Sequence, residues 1–297
     1  PYFLSEDGVV YTKDKTELVA YPQNSGFIKY TVPEGVKAIR DCAFYNTNIE
    51  QIEFPDSLEY IGNRAFYYSA GLKSALLKEN VKFIGDMAFG SCSNVDLGQI
   101  PSSLEYIGYM IFDMSGNAGI TKVDGNTYLG NWLINASVPD STEFKIADGT
   151  VGIAASAIYS IGMIRSTSVY IPASVKYINS RALKYFINLK EVYFAGSKQE
   201  WCKINIGDEN LPLLDAHIHF EDQTPLYGDV NDDGEVTASD ALMTLQNFVG
   251  SRQFTDEQLK AANVDGVDGI TAKDALLILQ HAVKILDKFP IEMMEIA

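Results

Sequence analysis

IGNRAF, Ile61 to Phe66, is the phrase on which the fold turns. It returns as IRDCAF at Ile39 to Phe44, IGDMAF at Ile84 to Phe89 and IGYMIF at Ile107 to Phe112, with weaker copies IAASAI at Ile153 to Ile158 and INSRAL at Ile178 to Leu183. The final residues step by 22, 23, 23, 46 and 25 positions, and because 46 is two periods, a degenerate unit is expected between Phe112 and Ile153. Self-similarity at such a period marks an array of stacked units, since one unit is too small to bury its own apolar face.

Three residues ahead of each phrase stands Val36, Leu58, Val81, Leu104, Thr150 or Val175, and three earlier again stands Pro33, Pro55, Pro101 or Pro172 in four of the six copies. Between phrases lie IEQIEF (Ile49 to Phe54), LKSALL (Leu72 to Leu77) and LKEVYF (Leu189 to Phe194). Their apolar residues fall at the first, fourth and sixth places, the spacing of a leucine-rich repeat strand. Each unit is therefore expected to supply one short strand, a turn at proline, and a helical or irregular return whose Ala and Phe enter a shared core. Phe44, Phe66 and Phe89 should form a ladder along it.

The proline-led repeat with its IGxxAF phrase resembles the BspA-like leucine-rich repeat family of bacterial and protozoan surface and secreted proteins. DGVVYTKDKTELVAYP, Asp7 to Pro22, is similar to that family's opening strands, and WCKINIGDENLPLLDAHIHF, Trp201 to Phe220, to its closing segment. Ile111 in place of Ala, and Ala154 and Asn179 in place of Gly, depart from the phrase, and the insert around Gly130 to Thr142 lacks it.

A different grammar begins at DVNDDGEVTASD, Asp229 to Asp240. Oxygen side chains stand at positions one, three, five, nine and twelve, with Gly234 at the sixth, where a calcium loop of EF-hand type turns sharply. This nominates Asp229, Asn231, Asp233, Thr237 and Asp240, with the carbonyl of Glu235, as ligands. A second run, NVDGVDGITAKD, ends 34 residues later at Asp274. It offers Asn263, Asp265, Thr271 and Asp274, but Val267 takes the fifth place and the Asp-Gly pair is displaced to Asp268 and Gly269, so this loop must bend differently for Asp268 to reach an ion. Similar helical stretches follow, DALMTLQNFVG and DALLILQHAVKI.

Two tandem loop-helix copies resemble a type I dockerin. That resemblance implies two calcium ions, a cohesin module of a scaffoldin as partner, and an extracellular, cellulosome-associated protein. It also implies that positions ten, eleven, seventeen, eighteen and twenty-two of each copy face the partner: Ala238, Ser239, Leu245, Gln246 and Gly250, against Ala272, Lys273, Leu279, Gln280 and Lys284. The lysines break the symmetry, so one binding orientation is expected. The layout expected is a repeat domain over 1–220, a connector over 221–227, a dockerin over 228–289 and a tail over 290–297 that either docks or frays.

The chain has 297 residues and a net charge of −16, which argues against nucleic acid because phosphates would be repelled. Residues 222 to 297 carry 14 acidic and 5 basic side chains, so the charge concentrates in the loop-helix part. No run of 18 apolar residues suggests a membrane span. Cys42, Cys92 and Cys202 are too few and scattered for a disulfide framework and read as buried small residues. His217 and His219 share a strand face with Asp215, but zinc needs more ligands, so a structural role is expected; His281 reads as a satisfied surface residue. Trp201 reads as core, and Trp132 as core or a sugar platform. No GxSxG elbow, P-loop, HExxH or Cys-His pairing is legible. The expectation is a non-catalytic protein whose repeats bind protein or polysaccharide. Part of a polysaccharide-degrading enzyme, or a calcium sensor, remain the alternatives.

Overall fold

The computed structural model describes residues 2–112, 119–136, 142–159, 164–222 and 226–294. By compactness the chain divides into Pro1–Tyr193 with Ile204–His219, and Phe194–Lys203 with Phe220–Ala297.

In the first unit every position of the repeated phrase has a separate physical task. The coil turns first at proline: the carbonyls of Pro33, Pro55, Pro101 and Pro172 accept the amides of Val36, Leu58, Leu104 and Val175 at 3.1 to 3.3 Å. Strands of two residues follow, Ala38–Ile39, Tyr60–Ile61, Phe83–Ile84 and Tyr106–Ile107, paired in parallel with the isoleucines in register. Alternation sends the isoleucines inward, fully buried, while Tyr60, Phe83 and Tyr106 stack on the other face with centroids 4.4 and 4.5 Å apart.

The second position must be glycine in the regular coils. A Cβ on Gly62, Gly85 or Gly108 would lie 2.5, 2.6 or 2.3 Å from the amide nitrogen of the preceding coil. At the third position, the side-chain oxygens of Asp41, Asn63 and Asp86 each accept the amide of the residue one coil on at 2.8 Å. The fourth residue is left-handed in all six copies, with φ between 47° and 62° at Cys42, Arg64, Met87, Met110, Ser156 and Arg181. Such a conformation costs a non-glycine residue about 1 kcal/mol. Coil-to-coil bonds offset it: Cys42, Arg64 and Met87 donate their amides to Asn63, Asp86 and Tyr109 at 3.0, 2.8 and 2.9 Å. Fifth and sixth come the buried Ala and Phe. The expected ladder is present, Phe44 to Phe66 to Phe89 with centroids 4.9 and 5.1 Å apart.

The return is therefore a tight turn rather than a helix, and each coil contributes to two ladders, where one strand per unit is expected from sequence. The second ladder pairs Lys29–Thr31 with Gln51–Glu53 in parallel and continues through bridges at Ser74 and Asp96. Its counterpart further along is a four-stranded sheet of Glu143–Lys145, Ser168–Ile171, Glu191–Ser197 and His217–Asp222.

The 46-residue step does not come from a degenerate coil. Among the described residues it holds a hairpin, Ile120–Val123 against Asn126–Leu129, turning at Asp124 and Gly125 with φ of 50° and 81°. The N-terminal hairpin, Phe3–Glu6 against Val9–Thr12, turns at Asp7 and Gly8 with φ of 50° and 83°. In both, a third antiparallel strand follows after a register shift, at Val10/Tyr11 and at Thr127/Tyr128, and pairs in parallel with the first short strand of a stack. One unit thus holds two stacks, each with its own opening hairpin. They meet at Ile107, whose carbonyl accepts the Ala155 amide at 2.8 Å and whose amide donates to Asn179 Oδ1 at 3.0 Å. Asn179 Nδ2 also donates to the Glu105 carbonyl at 3.1 Å. Asn179 replaces glycine because its carboxamide caps the last strand of the first stack.

Two cysteines differ from expectation, and Trp132 takes the first of its two readings. Trp132 is buried and stacked on Tyr177 at 5.8 Å, so it is core and not a platform. Cys42 and Cys202 are exposed, and only Cys92 is buried, because Cys42 occupies the outward-facing left-handed turn. None of the three forms a disulfide.

In the second unit lie α1 (Lys198–Trp201), α3 (Ala238–Phe248), α4 (Asp256–Ala262), α5 (Ala272–Ala282) and α6 (Pro290–Met294); α2 (Leu211–Leu214) belongs to the first. The apolar residues of the two loops and helices close a core of Val230, Ala241, Met243, Ala262, Val264, Ile278 and Phe289. His281 is no satisfied surface residue: its ring lies 4.7 Å from Phe289 and its Nδ1 is buried without a hydrogen-bond partner. Phe289, at the head of the tail, is buried, while residues 295–297 of the expected tail and 223–225 of the expected connector lie outside the described residues.

Candidate metal centre

The twelfth residue of each loop organises the backbone around it. Asp240 Oδ1 accepts the amides of Val230 and Asn231 at 2.9 and 3.1 Å, and its Oδ2 accepts the Thr237 amide and hydroxyl, both at 2.9 Å. Asp274 repeats the pattern with Val264 and Asp265, both 3.1 Å, and with Thr271 at 2.9 and 2.8 Å. Thr237 and Thr271 are the N-caps of α3 and α5, and each threonine with its aspartate forms a capping box. Both aspartates are fully buried.

Within the first loop Asp229 accepts the amides of Asp233 and Gly234 at 3.1 and 2.9 Å, and Asn231 Oδ1 accepts that of Asp233 at 3.0 Å. Asp233 Oδ1 accepts the Glu235 amide at 3.0 Å. The left-handed turns fall at Asp232 and Gly234, φ 65° and 90°. In the second loop Asp265 Oδ1 accepts the Val267 amide at 2.9 Å, the same third-to-fifth bond. Its left-handed residues are Gly266 and Gly269, φ 73° and 88°, so the sharp bend has moved from the sixth to the seventh position together with its glycine. Asp268 and Val267 are both exposed there.

The donor chemistry suits a hard cation. Asp229, only 4% exposed, is pushed up from the usual carboxylate range chiefly by burial, with the Asp240 carboxylate adding to it and the loop amides opposing it. Asp229, Asn231 and Asp233 keep lone pairs beyond those the amides use, so with the Glu235 carbonyl they can still turn oxygens toward one ion, whereas Asp240, which already accepts four bonds, would have to release some of them to join. Among the described residues, no three His, Cys, Asp or Glu side chains stand close enough together to hold an ion as placed. His219 is not a ligand candidate, since its Nε2 lies 2.7 Å from Glu191 Oε2 and its ring stacks on Tyr193 at 4.7 Å; His217 meets His219 edge to face.

The candidate partner residues lie on α3, α5 and the turns flanking them. Ala238, Ser239, Leu245, Gly250, Ala272, Lys273, Leu279 and Lys284 are exposed, and Gln246 and Gln280 half-buried. Sequence reading missed the rest of the apolar surface beside them. Leu242 and Leu276 are 56% and 53% exposed, Leu245 and Leu279 41% and 40%, and Val249 and Val283 64% and 54%, so the two helices present equivalent unsatisfied apolar stripes. The 34-residue equivalence could have found these pairs. Nothing in the sequence signals Lys198, whose ammonium pairs with Asp232 and lies 3.7 Å from Asp229.

The BspA type leucine-rich repeat family model matches residues 20–137 and 137–205, and the type I dockerin model matches 227–281. The chain belongs to the BspA type leucine-rich repeat family and carries a type I dockerin domain after the repeats. Neither domain is catalytic, and a dockerin implies calcium-dependent cohesin binding in an assembly of cellulosome type. Among solved structures, a leucine-rich repeat protein from Bacteroides capillosus is similar at 26% identity, over 40% of this chain and 100% of its own, with a TM-score of 0.32. The Treponema pallidum leucine-rich repeat protein is 19% identical over 66% of this chain and 84% of its own, TM-score 0.36. The pneumococcal vaccine antigen PcpA is 17% identical over 77% and 79%, TM-score 0.33. No curated protein matches the chain. Among the described residues no helix is long and apolar enough to cross a membrane.

Proposed function

We propose that the protein is a secreted, non-catalytic component of a cellulosome, held to a scaffoldin cohesin by its loop-helix pair while the repeats present a surface to protein or polysaccharide. The equivalent apolar stripes on α3 and α5 carry this reading, because a folded domain leaves such matched surface exposed where a partner covers it. Calcium enters through two sites: Asp229, Asn231, Asp233, Thr237, Asp240 and the Glu235 carbonyl in the first loop, and Asn263, Asp265, Asp268, Thr271 and Asp274, with Gly269 supplying the bend, in the second. When bound, calcium supplies the positive charge that draws these oxygens together. On the repeats, Tyr45, Tyr68 and Tyr159 are aromatic rings with exposed surface.

Uncharged Ser239 and Gly250 stand where the other copy has Lys273 and Lys284, so turning the domain by half a revolution would set two ammonium groups against a surface fitted to neutral residues. Unpaired interfacial charge is costly. One orientation should dominate, with the first copy in contact. Calorimetric titration with a panel of cohesins, in calcium and in chelator, tests the reading. Binding should require calcium, and Ala238→Glu should weaken it far more than Ala272→Glu. Absence of binding to every cohesin, or undiminished affinity in chelator, would overturn it.

A further inference from the structure

Lysine reaches each loop by a different route. At the first, Lys198 of α1 pairs with Asp232 and stands 3.7 Å from Asp229 Oδ2. At the second, the lysine is part of the loop: Lys273, in the eleventh position, places Nζ 3.0 Å from Asp265 Oδ2. The first loop has neutral Ser239 at that position. Asp265 Oδ1 accepts the Val267 amide, and its other oxygen, Oδ2, is the atom the lysine holds. The partners differ in freedom, since the Asp265 side chain is 4% exposed and that of Lys273 63%. The carboxylate is fixed in the loop, and the ammonium comes in from solvent.

Formal charge sharpens the contrast. The first loop has five carboxylates, Asp229, Asp232, Asp233, Glu235 and Asp240, whereas the second has three, Asp265, Asp268 and Asp274, set against its own lysine. Loop charge is a main determinant of calcium affinity. We infer that Lys273 is a built-in competitor for calcium at the second loop: its ammonium holds the Asp265 carboxylate that would help to hold the ion, and it would turn to the exposed face proposed to meet the partner once that carboxylate were engaged. This rests on the dockerin reading above. The second loop is then the weaker site, and its occupancy sets the charge that the second copy shows to a partner.

Calcium titration of the full chain by calorimetry, with wild type, Lys273→Gln, Lys273→Arg and Lys284→Gln, tests it. Lys273→Gln should tighten the weaker of two binding steps about three- to tenfold, the effect of removing one unit charge near a divalent ion. Lys273→Arg, which keeps the charge, and Lys284→Gln, which removes one from the far end of α5, should leave that step within about twofold. In wild type with its lysines carbon-13 dimethylated, the Lys273 methyl resonance should shift in step with the weaker phase. Two intact calcium steps with an unmoved Lys273 resonance, or equal effects of Lys273→Gln and Lys284→Gln, would overturn the inference alone. A chain that takes up no calcium would overturn the dockerin reading with it.

Discussion

The repeat body and the loop-helix pair are both built by repetition, yet what repeats in each is opposite in kind. In the body, copies share a buried apolar rung: Ile39, Ile61, Ile84 and Ile107 in register, with phenylalanines stacked behind them. In the pair, copies share a buried carboxylate, Asp240 or Asp274, wired to the same loop amides. Burial of apolar surface is complete once neighbours stack. Burial of clustered carboxylates favours folding only when a cation is supplied. On the reading proposed above, the same device, repetition, gives one part that is self-sufficient and one whose stability follows from its solution.

The two parts should therefore fail under different insults. Phe66→Ala removes a fully buried ring flanked on both sides, and should cost about 3 to 5 kcal/mol. Calorimetric melting should show that loss in the repeat transition and none in the loop-helix transition; a loss below about 1 kcal/mol would break the ladder argument. Calcium removal should do the reverse. With free calcium a hundredfold above its dissociation constant, ligation contributes about 2.7 kcal/mol, so a chelator should abolish much of the helical circular dichroism while leaving the repeat transition in place. The smallest effect compares the copies within the pair. Gly250 and Lys284 end α3 and α5 at equivalent left-handed positions, φ 75° and 60°. Lys284→Gly should raise the melting free energy of the loop-helix part by about 1 kcal/mol, since glycine adopts that conformation without a Cβ clash. No gain would mean that another contact of Lys284 outweighs the strain.

Much of this was legible because burial constrains residue type. The Ile, Ala and Phe of the phrase had to be apolar, so the register and the phenylalanine ladder could be read directly, and so could the oxygen spacing of the first loop. What stayed hidden had no compositional mark. The left-handed fourth position is filled by Cys, Arg, Met and Ser, none of which advertises it, because bonds from the next coil hold the conformation. Strands of two residues are too short to show alternation, which concealed the ladder that runs from Ala38–Ile39 to Tyr106–Ile107. The hairpin at Ile120–Leu129 shares little with that at Phe3–Thr12 beyond its Asp-Gly turn and one tyrosine, and it passed as a worn repeat. Lys198 is far from the loop in sequence, and only the fold brings it there.

Asn179 has a meaning for how such a chain stays a single particle. A parallel ladder ends in a row of unsatisfied amides and carbonyls, and that row is a template on which any chain with a free strand can grow. At Ile107 the template is closed from within, by the Ala155 amide and by a carboxamide set where the motif calls for glycine. A chain that restarts its own stack needs such a stop at each restart. Restoring the consensus by Asn179→Gly would therefore make the sequence more regular and the protein more prone to assemble end to end.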